Sequence, residues 1–375
     1  MAKFDLAVLG GGPGGYVAAI RGAQLGLKTC IIDKDKLGGI CLNWGCIPTK
    51  ALLKNAEVYH AIKHADTYGI KVENVSVDFK KNIQRSRDIS NRLSKGIEFL
   101  MKKNKITHIT GIGKLTSKTS LEVKNKQKTD TIEADKIILA TGARPKSFPG
   151  MEFDGNRVIS FKEAMILDSP PKKMIIIGSG AIGSEFAYYY NEFGTEVHMI
   201  EMLDRILPIE DADVSKEVEK SFKKSNIKIS KGTKVSKIES LKTKVKVHTE
   251  RNGKEEILEG DVALLAVGVT GNIEYLGLEE LGIETNGGTI TINEFNQTNI
   301  PNIFAIGDVS GPPWLAHVAS AQGHVAADYI GGHLPKPLDY SNIPSCTYCQ
   351  PQVGSLGMTE AQAKDAGYDV KVGKF

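Results

Sequence analysis

Cys41 and Cys46 stand five positions apart in the stretch Gly38-Gly39-Ile40-Cys41-Leu42-Asn43-Trp44-Gly45-Cys46-Ile47-Pro48-Thr49-Lys50. On a regular helix that offset keeps the Cα atoms too far apart, and on different faces, for a disulfide, whose Cα separation stays below about 7 Å. Gly45 adds backbone freedom between the thiols, and Pro48 disfavours helical geometry at Ile47. The chain can therefore bulge between the cysteines, with a helix starting at Pro48 and running to about Lys63. Two readings stay open. One is a redox-active disulfide; the other is two separate buried thiols, the usual state of cysteines in a reducing compartment.

The elements around the stretch bear on that choice. An apolar strand over residues 4–9 runs into Gly10-Gly11-Gly12-Pro13-Gly14-Gly15, which fits GxGxxG at Gly10, Gly12 and Gly15. A helix over 16–25 and a strand over 29–32 follow, ending at Asp33. Strand, glycine turn, helix, strand and acid in this order form the dinucleotide fingerprint in its required context. The glycines permit a tight turn, close approach to a pyrophosphate and close helix–strand packing. The helix N-terminus then offers free N–H groups to phosphate, and Asp33 accepts from a ribose.

The pattern recurs. A strand over 174–177 leads to Gly178, Gly180 and Gly183, then a helix to Phe193 and a strand over 196–200 ending at Glu201. Two such units imply two dinucleotide sites. A carboxylate at Glu201 favours a free 2′-hydroxyl, hence NAD, since a 2′-phosphate would want arginine and only Arg205 is near. Between the units lie a helix over 79–103, a small antiparallel meander over 107–124 and a buried strand over 136–139 ending in Ala140-Thr141-Gly142. A helix over 211–225, more β-prone segments and a buried strand ending at Gly268 follow. Phe304 to Asp308 ends another strand in an acid, and a helix opens near Leu315. The fold class is therefore α/β, with two Rossmann-like dinucleotide-binding domains and small antiparallel meanders.

Composition narrows the classes. With 375 residues, 41% hydrophobic, 25% charged and a formal charge of +4, the chain reads as an ordinary soluble globular protein of two or three domains. No aromatic-interleaved basic patch points to nucleic acid, no apolar run is long enough for a bilayer, and the start carries no signal or transit peptide. Cytoplasm is the expected compartment, or the mitochondrial matrix for a processed form. Five cysteines are too few and odd in number for a secreted disulfide framework. Cys346 and Cys349 lack two further ligands for a metal, and three apart on a strand they face opposite ways. They are expected to be structural thiols, and no metal site is expected.

The motifs Gly38-Gly39-x-Cys41-x-Asn43-x-Gly45-Cys46-x-Pro48-x-Lys50, Ala140-Thr141-Gly142 and Ala305-x-Gly307-Asp308 occur in order along a chain that resembles, from residue 4 to 375, the flavin-dependent pyridine nucleotide-disulfide oxidoreductases. The resemblance implies a disulfide between Cys41 and Cys46. It implies FAD on Gly10, Gly12, Gly15, Asp33, Lys50, Thr141, Gly142, Asp308 and Ala316, and NAD on Gly178, Gly180, Gly183, Glu201 and Gly268. Cys41 resembles the thiol that exchanges with a dithiol substrate, and Cys46 the one that contacts the flavin. Lys50 resembles the lysine near flavin N5, and Glu185 its carboxylate partner. The helix starting near Leu315 would aim its N-terminus at the flavin pyrimidine edge. His317 and His324 match no catalytic motif and are expected to be structural.

Within that family the substrate follows by subtraction. The residues after the second fingerprint strand, Glu201 to Arg205, do not suit the NADPH-dependent glutathione reductases. No extra C-terminal cysteine pair suggests a mercuric reductase, and the presence of Cys41 and Cys46 excludes the flavin transhydrogenases. Oxidation of protein-bound dihydrolipoamide remains, in a homodimer serving a lipoyl-bearing domain of a multienzyme complex. The alternatives are an NADH diaphorase or another disulfide reductase of the same family, and a non-enzymatic flavin/NAD-binding module.

Two departures are noted. Val269-Thr270-Gly271 replaces the Arg-Arg-Pro of many relatives, and Gln322 stands where several have glutamate. The family's acid–base His–Glu pair lies in a C-terminal interface domain, and the sequence stops at Phe375 inside its first part. The resemblance therefore puts that pair beyond the last residue, with low dihydrolipoamide turnover expected of these 375 residues. The expected domains are 1–150 and 275–342 for FAD, 151–274 for NAD, and 343–375 for the start of the interface domain.

Overall fold

The computed structural model describes residues 2–375. Two compact units are built from interleaved segments: Met1–Ile47, Arg87–Arg144 and Val269–Asp339 in the first, Pro48–Ser86, Pro145–Gly268 and Tyr340–Phe375 in the second.

In the first unit, Ala2–Leu9 lies between Thr29–Asp33 and Thr129–Leu139, parallel to both, with Thr107–Thr110 at one edge. Ile303–Ala305 adds a parallel strand against Ile137, Ile138 and Leu139. The stretches 6–9, 29–32, 137–139 and Ile303–Ala305 are buried, which is why they read as continuous apolar runs rather than alternating ones, whereas the edge strand Thr107–Thr110 is largely exposed. Thr129–Leu139 has a double use. Its first half pairs antiparallel with Ser120–Lys124, which pairs with Ile112–Ser117. The meander is thus a lobe of the same sheet, while Thr107–Thr110, read from sequence as part of it, joins the parallel edge instead.

Helices Pro13–Gln24 and Ala316–Ile330 pack side by side. Small residues allow the approach: a Cβ on Gly323 would stand 2.7 Å from the Gly14 carbonyl oxygen. Gly14 faces Ala319, and Arg21 pairs with Asp328 at 2.6 Å, so the two helices run in the same direction. Both N-termini therefore lie at the same end.

The second unit repeats the plan with the all-parallel strands Lys228–Ser230, Glu196–Ile200, Lys173–Ile177, Val262–Leu265 and Val158–Ile159 in that order. Its core gathers Ile175, Ile177, Ile200, Ala263 and Leu265 with Val245 and Val247 of an antiparallel meander. Helix Ala181–Glu192 follows the second glycine turn. The C-terminal segment contributes the hairpin Ser345–Thr347/Val353–Ser355 and the short helix Glu360–Asp365. No helix among the described residues is long and apolar enough to cross a membrane.

Candidate active site

Cys41 and Cys46 form a disulfide with a Cα separation of 4.6 Å. Two helices meet there, Gly39–Trp44 and Cys46–Lys63, broken at Gly45 with φ −143° and ψ −112°. The break answers the spacing problem, but it falls at Gly45 alone. The second helix begins at Cys46, not at Pro48. Proline is tolerated there because the first-turn N–H groups have no intrahelical acceptor to lose.

The loop is held from within. Asn43 Nδ2 reaches the carbonyls of Lys36, Leu37 and Gly39 at 3.4, 3.2 and 3.0 Å. Arg87 donates to the Asn43 carbonyl at 2.7 Å and lies 4.9 Å from the Trp44 ring centroid. Burial pushes the Arg87 guanidinium below its ordinary pKa. Arg87 was not singled out from the sequence, where it sits among the scattered basic residues of a long helix and no spacing marks it.

The two glycine motifs are built alike. Gly10 has φ +113°, and a Cβ there would stand 2.1 Å from the Ala140 carbonyl oxygen. Gly15 is equally closed, by the Gly10 carbonyl at 1.8 Å. The middle glycine differs: a Cβ on Gly12 meets only Gly39 Cα, at 3.8 Å. The outer glycines are demanded by the fold, and the middle one keeps open the space that a phosphate would fill. Gly178, Gly180 and Gly183 repeat this, with nothing within 4 Å of a Cβ on Gly180. Gly142 and Gly268 likewise have open Cβ positions and positive φ, +69° and +103°.

The acids repeat as well. Asp33 accepts the Gly11 N–H at 2.6 Å and the Asp35 N–H at 2.9 Å. Glu201 accepts the Ser179 N–H at 3.0 Å and the Leu203 N–H at 2.9 Å, plus the Ser179 hydroxyl at 2.6 Å. A carboxylate offers about four acceptor sites, so each acid retains capacity for a ligand hydroxyl. Arg205 donates to the Pro208 carbonyl at 3.1 Å.

Three helices expose their N-termini without a side-chain cap: Pro13–Gln24 after Gly12, Ala181–Glu192 after Gly180, and Ala316–Ile330 after Leu315. The chain can make caps elsewhere, since Ser160 and Thr359 each close a capping box. The uncapped N–H groups are those placed to receive anionic or partly negative ligand atoms.

Asp308 adds a donor-seeking group in the first unit. Its carboxylate is partly buried and has no hydrogen-bond partner among the described residues, and burial raises its pKa. A ligand hydroxyl would satisfy it. Gln322 Oε1 accepts the adjacent Gly307 N–H at 2.6 Å, so glutamine suffices for this positioning. Thr141 is clasped by Asn272: Thr141 Oγ1 donates to the Asn272 carbonyl and Asn272 Nδ2 to the Thr141 carbonyl, both at 2.9 Å. The departing loop therefore keeps the residue that holds the Thr141 turn.

In the second unit, Lys50 Nζ lies 2.8 and 2.9 Å from the two oxygens of Glu185, whose side chain is only 5% exposed. The Tyr348 N–H donates to the same carboxylate at 2.9 Å, and Lys50 Nζ stands 4.9 Å from the Tyr348 ring centroid. No spacing or motif in the sequence marks Tyr348, which lies beside Cys349. Cys349 is buried, and burial pushes its thiol up to about 12, while Cys346 is exposed and free. His317 and His324 are exposed on helix Ala316–Ile330.

A disulfide in a braced loop, two matching glycine cradles and a paired lysine define a nucleotide-dependent disulfide oxidoreductase. Residues 4–323 match the family described as pyridine nucleotide-disulphide oxidoreductase, and residues 343–375 match its dimerisation domain. The chain belongs to this family, whose dihydrolipoyl dehydrogenase members use FAD and NAD. Its curated relatives include the dihydrolipoyl dehydrogenases of Rhizobium etli, 46% identical over all of this chain and 81% of the relative, and Zymomonas mobilis, 46% identical over 99% and 80%. The solved structure of LpdA from Mycobacterium tuberculosis superposes with a TM-score of 0.91 at 26% identity, covering 98% of this chain and 81% of that one.

Proposed function

We propose that this chain oxidises dihydrolipoamide with NAD, a reading supported by curated relatives 46% identical to it that are named dihydrolipoyl dehydrogenase. The observation that carries the reading is the Cys41–Cys46 disulfide at the helix break. A substrate thiolate attacks Cys41 Sγ and Cys46 leaves as thiolate. The second substrate thiol then displaces Cys41, yielding the cyclic disulfide and two protein thiols. The two-electron redox chemistry linking those thiols to NAD would be supplied by FAD held in the first glycine cradle. Lys50, paired with Glu185, supplies a fixed positive charge beside the flavin.

Gly10, Gly12, Gly15, Asp33, Thr141, Gly142, Asp308 and Ala316 hold FAD in this reading, on residues 1–150 with 275–342. Gly178, Gly180, Gly183, Glu201 and Gly268 hold NAD on 151–274. The uncapped helix N-termini, the open middle glycines and the partnerless Asp308 support that assignment. Residues 343–375 contribute to a homodimer interface, consistent with their match to the dimerisation domain. The macromolecular partner is a lipoyl-bearing domain, and the compartment is the cytoplasm.

The test is NAD-dependent oxidation of dihydrolipoamide by the flavin-loaded protein. Cys41→Ser and Cys46→Ser should each abolish it while flavin stays bound. Undiminished turnover in either variant, or a preference for NADP, would overturn the reading.

A further inference from the structure

Three helices of the second unit, Cys46–Lys63, Ala181–Glu192 and Ala212–Lys224, end at one surface recess of about 480 Å³. His60 and Lys63 line it from the first, with His64 just past its end, Asn191 and Glu192 from the second, Lys224 from the third. Helix C-termini carry partial negative charge, so three together make a place for a cation rather than an anion. Lys63 already takes part of that role: it ion-pairs with Glu192 at 2.8 Å and lies 4.9 Å from the Tyr59 ring centroid.

The two histidines are arranged for more than charge. They stand four apart, the spacing that puts both on one helix face, with ring centroids 4.2 Å apart. His60 Nδ1 is 2.8 Å from Glu192 Oε1, and His64 Nδ1 is 2.9 Å from the His60 carbonyl oxygen. Neither acceptor can donate, so both Nδ1 atoms carry the proton. In its neutral form each ring then presents a lone pair at Nε2. A carboxylate or carbonyl behind Nδ1 is the arrangement that orients histidine for a metal and raises its basicity. A further buried polar group has nothing to bond: Thr195, which also lines the recess, is 2% exposed and its hydroxyl has no hydrogen-bond partner.

We propose that His60 and His64, through Nε2, form a two-histidine site for a divalent transition-metal ion of the zinc, nickel or copper class. No cluster of three or more His, Cys, Asp or Glu side chains suited to a metal occurs among the described residues, so water completes the coordination. The Thr195 hydroxyl is available to such a water. Imidazole donors select these borderline metals over magnesium or calcium, which take oxygen ligands. The site joins the far ends of the two helices that carry Lys50 and Glu185, about 15 Å back along the first at 1.5 Å per residue. It is independent of the disulfide chemistry.

The experiment is a calorimetric titration of zinc chloride into the flavin-loaded, disulfide-oxidised protein bearing Cys346→Ser, so that no exposed thiol competes. One saturable site is expected. His60→Ala and His64→Ala should each weaken it at least tenfold, and Glu192→Gln, which removes the group behind His60, by about tenfold or more. Copper(II) bound there should give an electron paramagnetic resonance spectrum with nitrogen couplings that His64→Gln alters; that variant leaves the His60–Glu192 pair in place if His60→Ala fails to fold. Unchanged zinc affinity in the His64 variants, or no saturable binding at millimolar zinc, would overturn the proposal.

Discussion

Lys50 and Glu185 make a two-pronged ion pair, with the ammonium 2.8 and 2.9 Å from the two carboxylate oxygens and the Tyr348 ring 4.9 Å to one side. Glu185 is almost fully buried while Lys50 is 37% exposed, so the pair is screened on one side only. Breaking a buried pair costs several kcal/mol, whereas forming one contributes little to stability, which favours a functional reason for keeping it.

The proposed placement of Lys50 beside the flavin gives opposite signs for its two simplest variants. Glu185→Gln leaves the ammonium without its counter-charge and should raise the flavin midpoint potential. Lys50→Met should lower it. A shift on the order of 30 mV corresponds to about 1.4 kcal/mol for a two-electron couple. Spectroelectrochemical titration of the two variants checks the signs, and equal shifts in one direction would contradict the placement.

Asp308 predicts a trade between stability and cofactor retention. Its pKa in the folded chain is raised by burial, so the folded state disfavours the charged form. The resulting cost is present above the folded pKa and disappears as pH falls below the unfolded value. Asp308→Asn should therefore make the apoprotein melt higher at neutral pH and erase the difference at low pH. The same change removes a charged acceptor from the proposed flavin site. Losing one charge-assisted hydrogen bond, about 1.5–3 kcal/mol, weakens FAD by roughly tenfold or more. Thermal melts of the apoprotein and flavin release measure the two effects separately.

Both nucleotide-binding sheets were legible in the sequence because their strands are continuous apolar runs closed by glycines and acids at fixed offsets. The helix over Phe79–Lys103 was also legible from its strong one-sided pattern. The lost details are those that depend on contacts distant in sequence. Thr107–Thr110 could not be assigned to the parallel edge, because a short polar-flanked strand looks the same on either side of a sheet. Pro48 drew the helix start two residues too late, since the local bias against helix before proline yielded to a break at Gly45. Arg87 reaches Asn43, Asn272 reaches Thr141 and Tyr348 reaches Glu185 across long sequence separations, and only folding brings each pair together.

The redox loop gives a further expectation. Asn43→Ala removes the side-chain donor to three carbonyls, and Leu37 keeps another partner, Ser94 Oγ at 2.7 Å. Arg87→Gln removes a charged donor from the Asn43 carbonyl and the cation from the Trp44 ring. Each should cost about 1–3 kcal/mol in the stability of this segment. Faster reduction of the Cys41–Cys46 disulfide by a small dithiol, with flavin still bound, is the expected sign, and an unchanged rate would show that the bracing is unimportant.

In the proposed NAD site, Glu201 governs the choice of nucleotide through charge. Its carboxylate is already anchored by Ser179 and Leu203, so it cannot swing away from a 2′-phosphate, and Arg205 is engaged with the Pro208 carbonyl. Glu201→Ala should weaken NAD, which loses an acceptor, and relieve the repulsion of NADP. The selectivity ratio should narrow by about tenfold, or ~1.4 kcal/mol. Steady-state comparison of NADH and NADPH oxidation reads this ratio directly.

Thiol reactivity should divide the cysteines sharply. Alkylation requires the thiolate. Burial pushes Cys30 and Cys349 up to about 12, so both stay protonated at pH 8, whereas Cys346 is exposed and free. Oxidised native protein treated with iodoacetamide should therefore be modified at Cys346 alone. After reduction by a dithiol, Cys41 and Cys46 should join it while Cys30 and Cys349 remain protected until the chain unfolds. Peptide mass mapping distinguishes these outcomes. Early labelling of Cys349 would mean that the hairpin packed beside Glu185 opens in solution, and with it the backbone donor that Tyr348 supplies to that carboxylate.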